Sequence, residues 1–472
     1  MSLYDPIFYI TNDSERAIGL EEIVDLHILA IDDSWLARQI HNKTHKVFIL
    51  EREIGILNPI FRNSNKLLQE PLTQEYIDHH SQDIRQGMVF KIAPNIERTA
   101  QALGIQLLNT TSQQNQRFEN KIPQLEFLKE LDNIPLPKSE IYLLGDTDHQ
   151  KLISEFSDPY VIQFDRGHTG TGTLFIRSED ELEDLKSAFP KRPVRISQYI
   201  EGEAWTLNAV STRWGTHYGG LSYQITGVEP LTRVSGATVG NDWSRAHSLP
   251  DNTISQIAMI TKKVGDGLFE EGFRGLFGLD LIVDDKGKAF LIEINARQPA
   301  STGMHTKLML KNQQIPLQLL HIAEFLGLTD SELIQYMTDR SRPAHSLTKL
   351  QDQLSEQDRS LGRDINASQC ILRNSASGNI TIAGDLGSGI YDRTDRDLSE
   401  QAIDDRYSID HLDEDEFLLI TATEGRIVTP GTEYARIQTY GSVLDNSGKL
   451  LPVLVDIINK LKGSTHEEAT TT

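Results

Sequence analysis

One stretch constrains the chain more than any other. Residues 278–297 read GLDLIVDDKGKAFLIEINAR, with the apolar runs Leu279–Val283 and Ala289–Ile294 on either side of Asp284-Asp285-Lys286-Gly287. Turn-forming residues between two apolar runs predict a β-hairpin. Each run also contains an acid where a buried strand would favour an aliphatic residue. Asp280 and Glu293 fall on paired strands, so both carboxylates can reach one point, and Asn295, two residues beyond Glu293, shares its face. Two carboxylates and an amide oxygen make a hard oxygen set of the kind that holds Mg²⁺ and leaves positions for phosphate oxygens. Arg297 comes next on the same face and places a fixed cation beside that set. A surface hairpin with solvated acids accounts for one such acid, but not for D-x12-E-x-N-x-R.

That string resembles the metal-binding hairpin of the ATP-grasp enzymes, which include D-alanine–D-alanine ligase, biotin carboxylase and the L-amino acid ligases. The resemblance implies that Asp280, Glu293 and Asn295 hold Mg²⁺ (or Mn²⁺) against the phosphates of ATP. It also implies that Arg297 steadies an acyl phosphate or tetrahedral intermediate. It covers roughly residues 115–330 and implies an α/β and α+β chain. The expected units are a pre-ATP-grasp α/β domain over 1–115 and an ATP-grasp domain over 116–330, with a small lobe of about 120–200 and a large lobe of about 201–330. A β-rich cap is expected over 331–462, then a disordered tail over 463–472.

The rest of the chain fits that division. Pro6–Thr11, His27–Ile31 and Lys46–Leu50 are short apolar runs with helical patterns between them, which favours a parallel sheet. No G-x-G-x-x-G follows the first run, so a dinucleotide site is not expected. The polar segment NTTSQQNQ, 109–116, reads as a boundary loop. Ser178 with Glu181 three residues later predicts a capped helix start. Ile254–Glu271 and Pro316–Gly327 read as helices flanking the hairpin.

A net charge of −22 argues against a nucleic-acid partner. The single Cys370 excludes an intrachain disulfide framework and a cysteine-based zinc cluster. No basic leader with an apolar stretch opens the sequence, and no run has the length of a membrane span. The expectation is a cytoplasmic protein acting on small carboxylate and amine substrates, away from membranes, with a homodimer compatible with the sequence.

The resemblance extends to the nucleotide. Glu119-Asn120-Lys121 before a helical stretch matches the ATP-grasp opening, in which a Lys contacts the phosphates, so Lys121 takes that role. The segment Gln163-Phe164-Asp165-Arg166-Gly167-His168-Thr169-Gly170-Thr171-Gly172 has the composition of a phosphate flap, since glycines let backbone N–H groups approach oxyanions. Most members carry Lys where this chain has Gln163, so positive potential must come from elsewhere, with Arg166 and His168 the nearest candidates. Ser197–Gly202 resembles the inter-lobe hinge, implying adenine contacts at Gln198, Tyr199 and Ile200. Members usually place the ribose acid two residues after the Gly. Here that position is Ala204, and Glu203, one place earlier, is taken instead. Gln224, Asn241, Ser244, Gln298 and Ser301 lie in unusually polar strings that could orient an acyl acceptor or could be packed loops.

The expected chemistry is ATP-dependent ligation: a carboxylate becomes an acyl phosphate and then an amide, with ADP and phosphate released. Two alternatives stay open. A carboxyphosphate-type carboxylase fits faint C-terminal likenesses at 367–390 but finds no biotinyl-Lys context. A nucleotide-binding subunit without turnover fits Gln163 and Ala204 but not the intact acid cluster.

Overall fold

The computed structural model describes residues 3–59, 61–81, 84–165, 172–233, 236–339, 347–384, 387–394, 398 and 405–467. Strands β1 (Ile7–Thr11), β2 (Leu26–Ala30), β3 (Val47–Ile49), β4 (Arg85–Val89) and β5 (Ile105–Leu107) form a parallel sheet in the order β3-β2-β1-β4-β5. The central strands β1 and β2 are buried along their whole length, as expected of a parallel sheet packed on both faces. Ile7, Tyr9 and Ile28 pack into one core, and Phe8, Ile10 and Leu29 into another. The expected boundary loop is instead a helix, Ser112–Glu119, with Thr111 accepting from the Gln114 N–H at its start. Its buried side include Ser112, Asn115 and Glu119, so no apolar period announced it.

Strands β6 (Ser139–Leu143), β7 (Tyr160–Phe164), β8 (Thr173–Ile176) and β9 (Pro193–Gln198) make an antiparallel sheet in the order β6-β9-β7-β8. One face, with Tyr160, Ile162, Val194 and Ile196, packs on Leu152 and Leu182 from two helices. The second of these, Glu179–Ala188, begins with the predicted Ser178–Glu181 capping box.

The remaining strands are β10 (Glu203–Thr212), β11 (Gly215–Thr226), β12 (Thr238–Asp242), β13 (Gly275–Val283), β14 (Ala289–Asn295) and β15 (Ala367–Arg373). They continue with β16 (Ile380–Ile382), β17 (Gly389–Asp392), β18 (Glu416–Thr421), β19 (Ile427–Val428), β20 (Glu433–Tyr440) and β21 (Thr465–Glu467). Nine of them form one sheet, β14-β13-β10-β11-β12-β15-β20-β18-β17, which therefore runs through the boundary expected at 330. The splice is β12 against β15, where Gly240 faces Cys370. A Cβ on Gly240 would stand 2.2 Å from the Gln369 carbonyl oxygen, so the two strands meet this closely only because that residue is Gly. Strands β19-β16-β21 form a small third antiparallel sheet. Thr465–Glu467 thus belong to a sheet although a disordered tail was expected from their composition, and residues 468–472 lie outside the described set. Among the described residues no helix is long and apolar enough to cross a membrane.

Candidate active site

The hairpin forms as its sequence predicts, β13 and β14 closing around a turn in which Asp284 N–H donates to Lys288 O and Gly287 N–H to Asp284 O. Asp280 stands opposite Glu293, with a bulge between Asp280 and Leu281 that re-aims the strand there. Asn295 Nδ2 donates to Asp280 Oδ2 at 3.0 Å, and Arg297 Nη1 donates to Asn295 Oδ1 at 2.8 Å. Lys121, buried at the start of the helix Lys121–Glu130, brings Nζ to 2.6 Å from Glu293 Oε1. That helix start is held by the end of β7: Lys121 N–H donates to Asp165 O and Ile122 N–H to Asp165 Oδ1. Residues distant in sequence and the hairpin thus form one bonded cluster.

Burial, and next Glu293 beside it, push the Asp280 carboxyl up to about 6. Two carboxylates held together in a half-buried site with an adjacent amide suit a hard divalent cation, whose charge offsets both their repulsion and their burial. Asn295 now turns its amide nitrogen to Asp280 and its oxygen to Arg297, so ligation through Oδ1 requires the amide to turn over. Among the described residues one other grouping, Glu22, Asp410 and His411, brings three potential ligands together. The Lys307 ammonium already fills it, 2.7 Å from Glu22.

Around Arg297 lies a shell that the sequence reasoning missed. Its Nε is 3.6 Å from Glu119 Oε1, and Glu119 also holds Lys91 at 2.6 Å and accepts from Asn115 Nδ2 at 2.9 Å. Burial works against the Glu119 charge, but Arg297 and Lys91 hold its carboxyl below the ordinary range. The Phe90 ring carries two guanidinium groups, Arg16 at 4.6 Å and Arg297 at 5.8 Å from its centroid. Phe90 and Lys91 follow β4 directly. The only hint in the sequence was Glu119 itself, two residues before Lys121.

The small lobe supplies the opposite wall. Gln163 is buried and donates to Thr173 Oγ1 at 3.3 Å, and Gly172 O closes the β7–β8 connection by accepting from Phe164 N–H at 2.9 Å. Arg166, Gly167, His168, Thr169, Gly170 and Thr171 lie outside the described residues. At the hinge, Gln198 N–H donates to Lys138 O and Tyr199 N–H to Ser157 Oγ. Both donors are engaged within the lobe. The register of β10 opposes Thr206 to Asp280 and Ala204 to Ile282. Alternation therefore puts Glu203 on the other face, with Trp205, where its charge acts on Tyr223.

Of the polar residues expected to meet an acceptor, Gln224 reaches the hairpin and donates to Asp280 Oδ1 at 2.8 Å. It belongs to a row that crosses the large sheet on one face: Glu293, Asp280, Thr206, Ser222 with Gln224, Asn241, Gln369 and Gln438 are successive cross-strand partners. Asn241 donates to Ser222 Oγ and accepts from Gln369 Nε2, while Gln369 Oε1 accepts from Arg436 Nη1 at 2.9 Å. Ser244 instead bonds Asp242 on the opposite face. Gln298 straps the N-terminal domain, accepting from Tyr9 Oη and donating to Arg16 O. Ser301 donates to Asn208 Oδ1 within the large lobe.

The polar row ends at a cavity of about 500 Å³. Arg436 pairs with Glu15 at 2.5 Å and Glu433 at 2.8 Å, and both acids line it. Asn12 and Asp13 after β1, Asp32 after β2 and Lys91 after β4 form one wall, and Arg373 with Thr421 the other. Strand order reverses between β1 and β4, the position where open parallel sheets bind ligands.

Residues 118–301 match the ATP-grasp domain family, and the chain carries an ATP-grasp domain in an ATP-grasp fold. The large chain of carbamoyl phosphate synthase from Pyrococcus furiosus is 24% identical over 226 residues, which cover 46% of this chain and 20% of that one. The chain spans about a fifth to under a third of the length of the curated relatives it matches. The N5-carboxyaminoimidazole synthase of Aspergillus clavatus, solved with ADP and 5-aminoimidazole ribonucleotide, superposes with a TM-score of 0.59 at 13% identity, covering 98% of this chain and 100% of that one. The L-amino acid ligase of Bacillus licheniformis gives 0.54 at 14% identity over 99% of both chains. At such identities the likeness is one of fold.

Proposed function

We propose that this protein is an ATP-dependent ligase that converts a carboxylate into an acyl phosphate and joins it to an amine, releasing ADP and phosphate. The observation that carries the reading is the single bonded cluster of Lys121, Asp280, Glu293, Asn295 and Arg297 in an ATP-grasp fold. Mg²⁺ held by Asp280, Glu293 and Asn295 would supply charge neutralisation at the phosphate oxygens. Lys121, released from Glu293, would meet the same oxygens from the helix side. A carboxylate has oxide as its leaving group, so amide formation at neutral pH needs that oxygen phosphorylated first. Arg297 lies two residues past Asn295 with a planar fork suited to a carboxylate and then to the tetrahedral oxyanion. The cavity beside it suits the organic substrates, because Lys91 on its wall shares Glu119 with Arg297. The fold shared with an L-amino acid ligase and a carboxyaminoimidazole synthase supports the same class of chemistry.

The test is phosphate release from ATP and Mg²⁺ against a panel of amino acids and small acids, with nucleotide products resolved. ADP formation that needs both a carboxylate and an amine is expected. AMP as product, or no turnover with nucleotide bound, would refute the ligase reading. ADP formation driven by bicarbonate alone would move it to the carboxyphosphate route.

A further inference from the structure

A second buried cation stands on the cleft face of the small lobe. Arg195 on β9 lies directly opposite Gln163 on β7 in the antiparallel register. Both side chains therefore leave the sheet on the same side, while Val194 and Ile196 turn into the lobe's own core. Arg195 is 1% exposed. Its Nη1 donates to Ile292 O of the hairpin at 3.1 Å and its Nη2 to Ser139 Oγ at 3.3 Å. Its Nε is buried with no hydrogen-bond partner.

That arrangement is costly as it stands. A buried guanidinium needs its donors satisfied and its charge met. Burial pulls the Arg195 pKa down to about 10, and the charge that acts against this is Glu293. Glu293 already holds the Lys121 ammonium at 2.6 Å. Two buried cations thus draw on one carboxylate, and a metal ion taking that carboxylate would leave both facing the cleft. An anion entering between the lobes is what would complete the set.

We infer that Arg195 is the small-lobe cation that meets the nucleotide phosphates, standing across the strand pair from the uncharged Gln163. This rests on the ATP-site reading above. The competing role for Arg195 is a strut that joins the lobes through Ile292 O and Ser139 Oγ. The two roles separate because a strut requires the guanidinium at position 195, whereas a phosphate contact requires positive charge on that face. Directly opposed residues hold their Cβ atoms about 5 Å apart, so a Lys at position 163 can deliver charge to the same space.

The experiment is calorimetric binding of ATP with Mg²⁺ to the full chain, with melting temperatures measured without nucleotide. Arg195→Gln is expected to weaken ATP binding at least tenfold, and adding Gln163→Lys in that background to recover most of the loss. Binding by Arg195→Gln within twofold of the unaltered protein overturns the inference. So does a double variant that binds as poorly as the single one, which is the strut result. If Arg195→Gln does not fold, Gln163→Lys alone decides. Two adjacent cations should lower its ligand-free melting temperature and enlarge the rise that ATP produces, and an unchanged rise overturns the inference. If the unaltered protein binds no ATP, the site reading itself fails and this inference with it. Loss in Arg195→Gln that the double variant recovers supports both.

Discussion

The two halves of the candidate site are assembled in opposite ways. The hairpin takes Asp280, Glu293, Asn295 and Arg297 from one continuous stretch, and a two-strand register brings them together. The cavity takes its walls from the loops after β1, β2 and β4 and from the distant strands β15, β18 and β20. Charge is also handled differently. At the hairpin, two acids repel each other and one is pushed toward protonation, a state that a cation relieves. In the cavity most charges are met by protein partners: Arg436 with Glu15 and Glu433, Lys91 with Glu119, and Arg62 with Asp32. One part sets two acids against each other, and the other is already nearly neutral. Ion binding should therefore dominate at the first, and shape and a few polar contacts at the second.

The largest effects should fall on the hairpin. Asp280→Asn and Glu293→Gln each remove a charged ligand from a site supported by stable strands, and turnover should fall at least about a thousandfold with the fold retained. More than about a tenth of activity in both variants at saturating Mg²⁺ would end the metal assignment. Arg297→Lys should cost less, on the order of a hundredfold in turnover, because Lys keeps the charge but not the planar fork. ATP affinity should stay within a few-fold. Weaker ATP binding with unchanged chemistry would transfer Arg297 to the nucleotide, and a lower melting temperature with normal turnover would make it a partner of Glu119 only.

The cavity should respond more mildly and on a different parameter. Arg16 stacks on Phe90 and donates to Ala300 O, with no carboxylate partner among the described ion pairs. Arg16→Ala should raise the KM of an organic substrate about tenfold, the scale of one hydrogen bond to a charged group, and leave ATP affinity alone. A change in ATP affinity instead would erase the division between the two halves.

This contrast also explains what the sequence disclosed. A hairpin is local, so its period, its turn and its misplaced acids were all readable, and the capping box at Ser178 was readable for the same reason. Glu119 and Lys91 were not, because each gains meaning only where the helix 112–119 and the end of β4 converge on Arg297. Strand alternation puts Glu203 on the face opposite Asp280, yet the phase of β10 is set by pairing with β13 and not by its own residues. The polar strings at 224–227 and 236–244 looked like loops or a pocket lining. Gln224 and Asn241 instead lie on β11 and β12, in a row whose continuity depends on the β12–β15 splice. Arg195 alternates with Val194 and Ile196 as any half-buried strand residue would, so nothing local marked it.

The smallest effect expected is on stability in acid, and it tests the junction between the two halves. His321 Nδ1 accepts from Leu276 N–H at 3.0 Å at the start of β13, and its other ring nitrogen donates to Leu108 O at 2.8 Å just past β5. The ring therefore ties the large lobe to the N-terminal domain as a neutral imidazole. His305 is fixed similarly, since Ser301 orients the Asn208 amide so that its nitrogen faces His305 Nδ1 at 3.2 Å. Burial lowers both pKa values from 6.5 to about 4. The folded-state value lies below the unfolded one, so between these limits the unfolded chain binds the proton first. Stability from the neutral rings is complete above about 6.5 and is lost as the pH falls toward about 4, at up to about 1.4 kcal/mol per pH unit for each ring. Gln at position 321 can still accept and donate but does not titrate. His321→Gln should therefore melt somewhat lower than the unaltered protein at pH about 7.5, outside the titration window, and decline less steeply as the pH falls. Parallel melting profiles for the two proteins would show that His321 takes no part in the acid response, and that the junction depends on packing in place of a neutral imidazole.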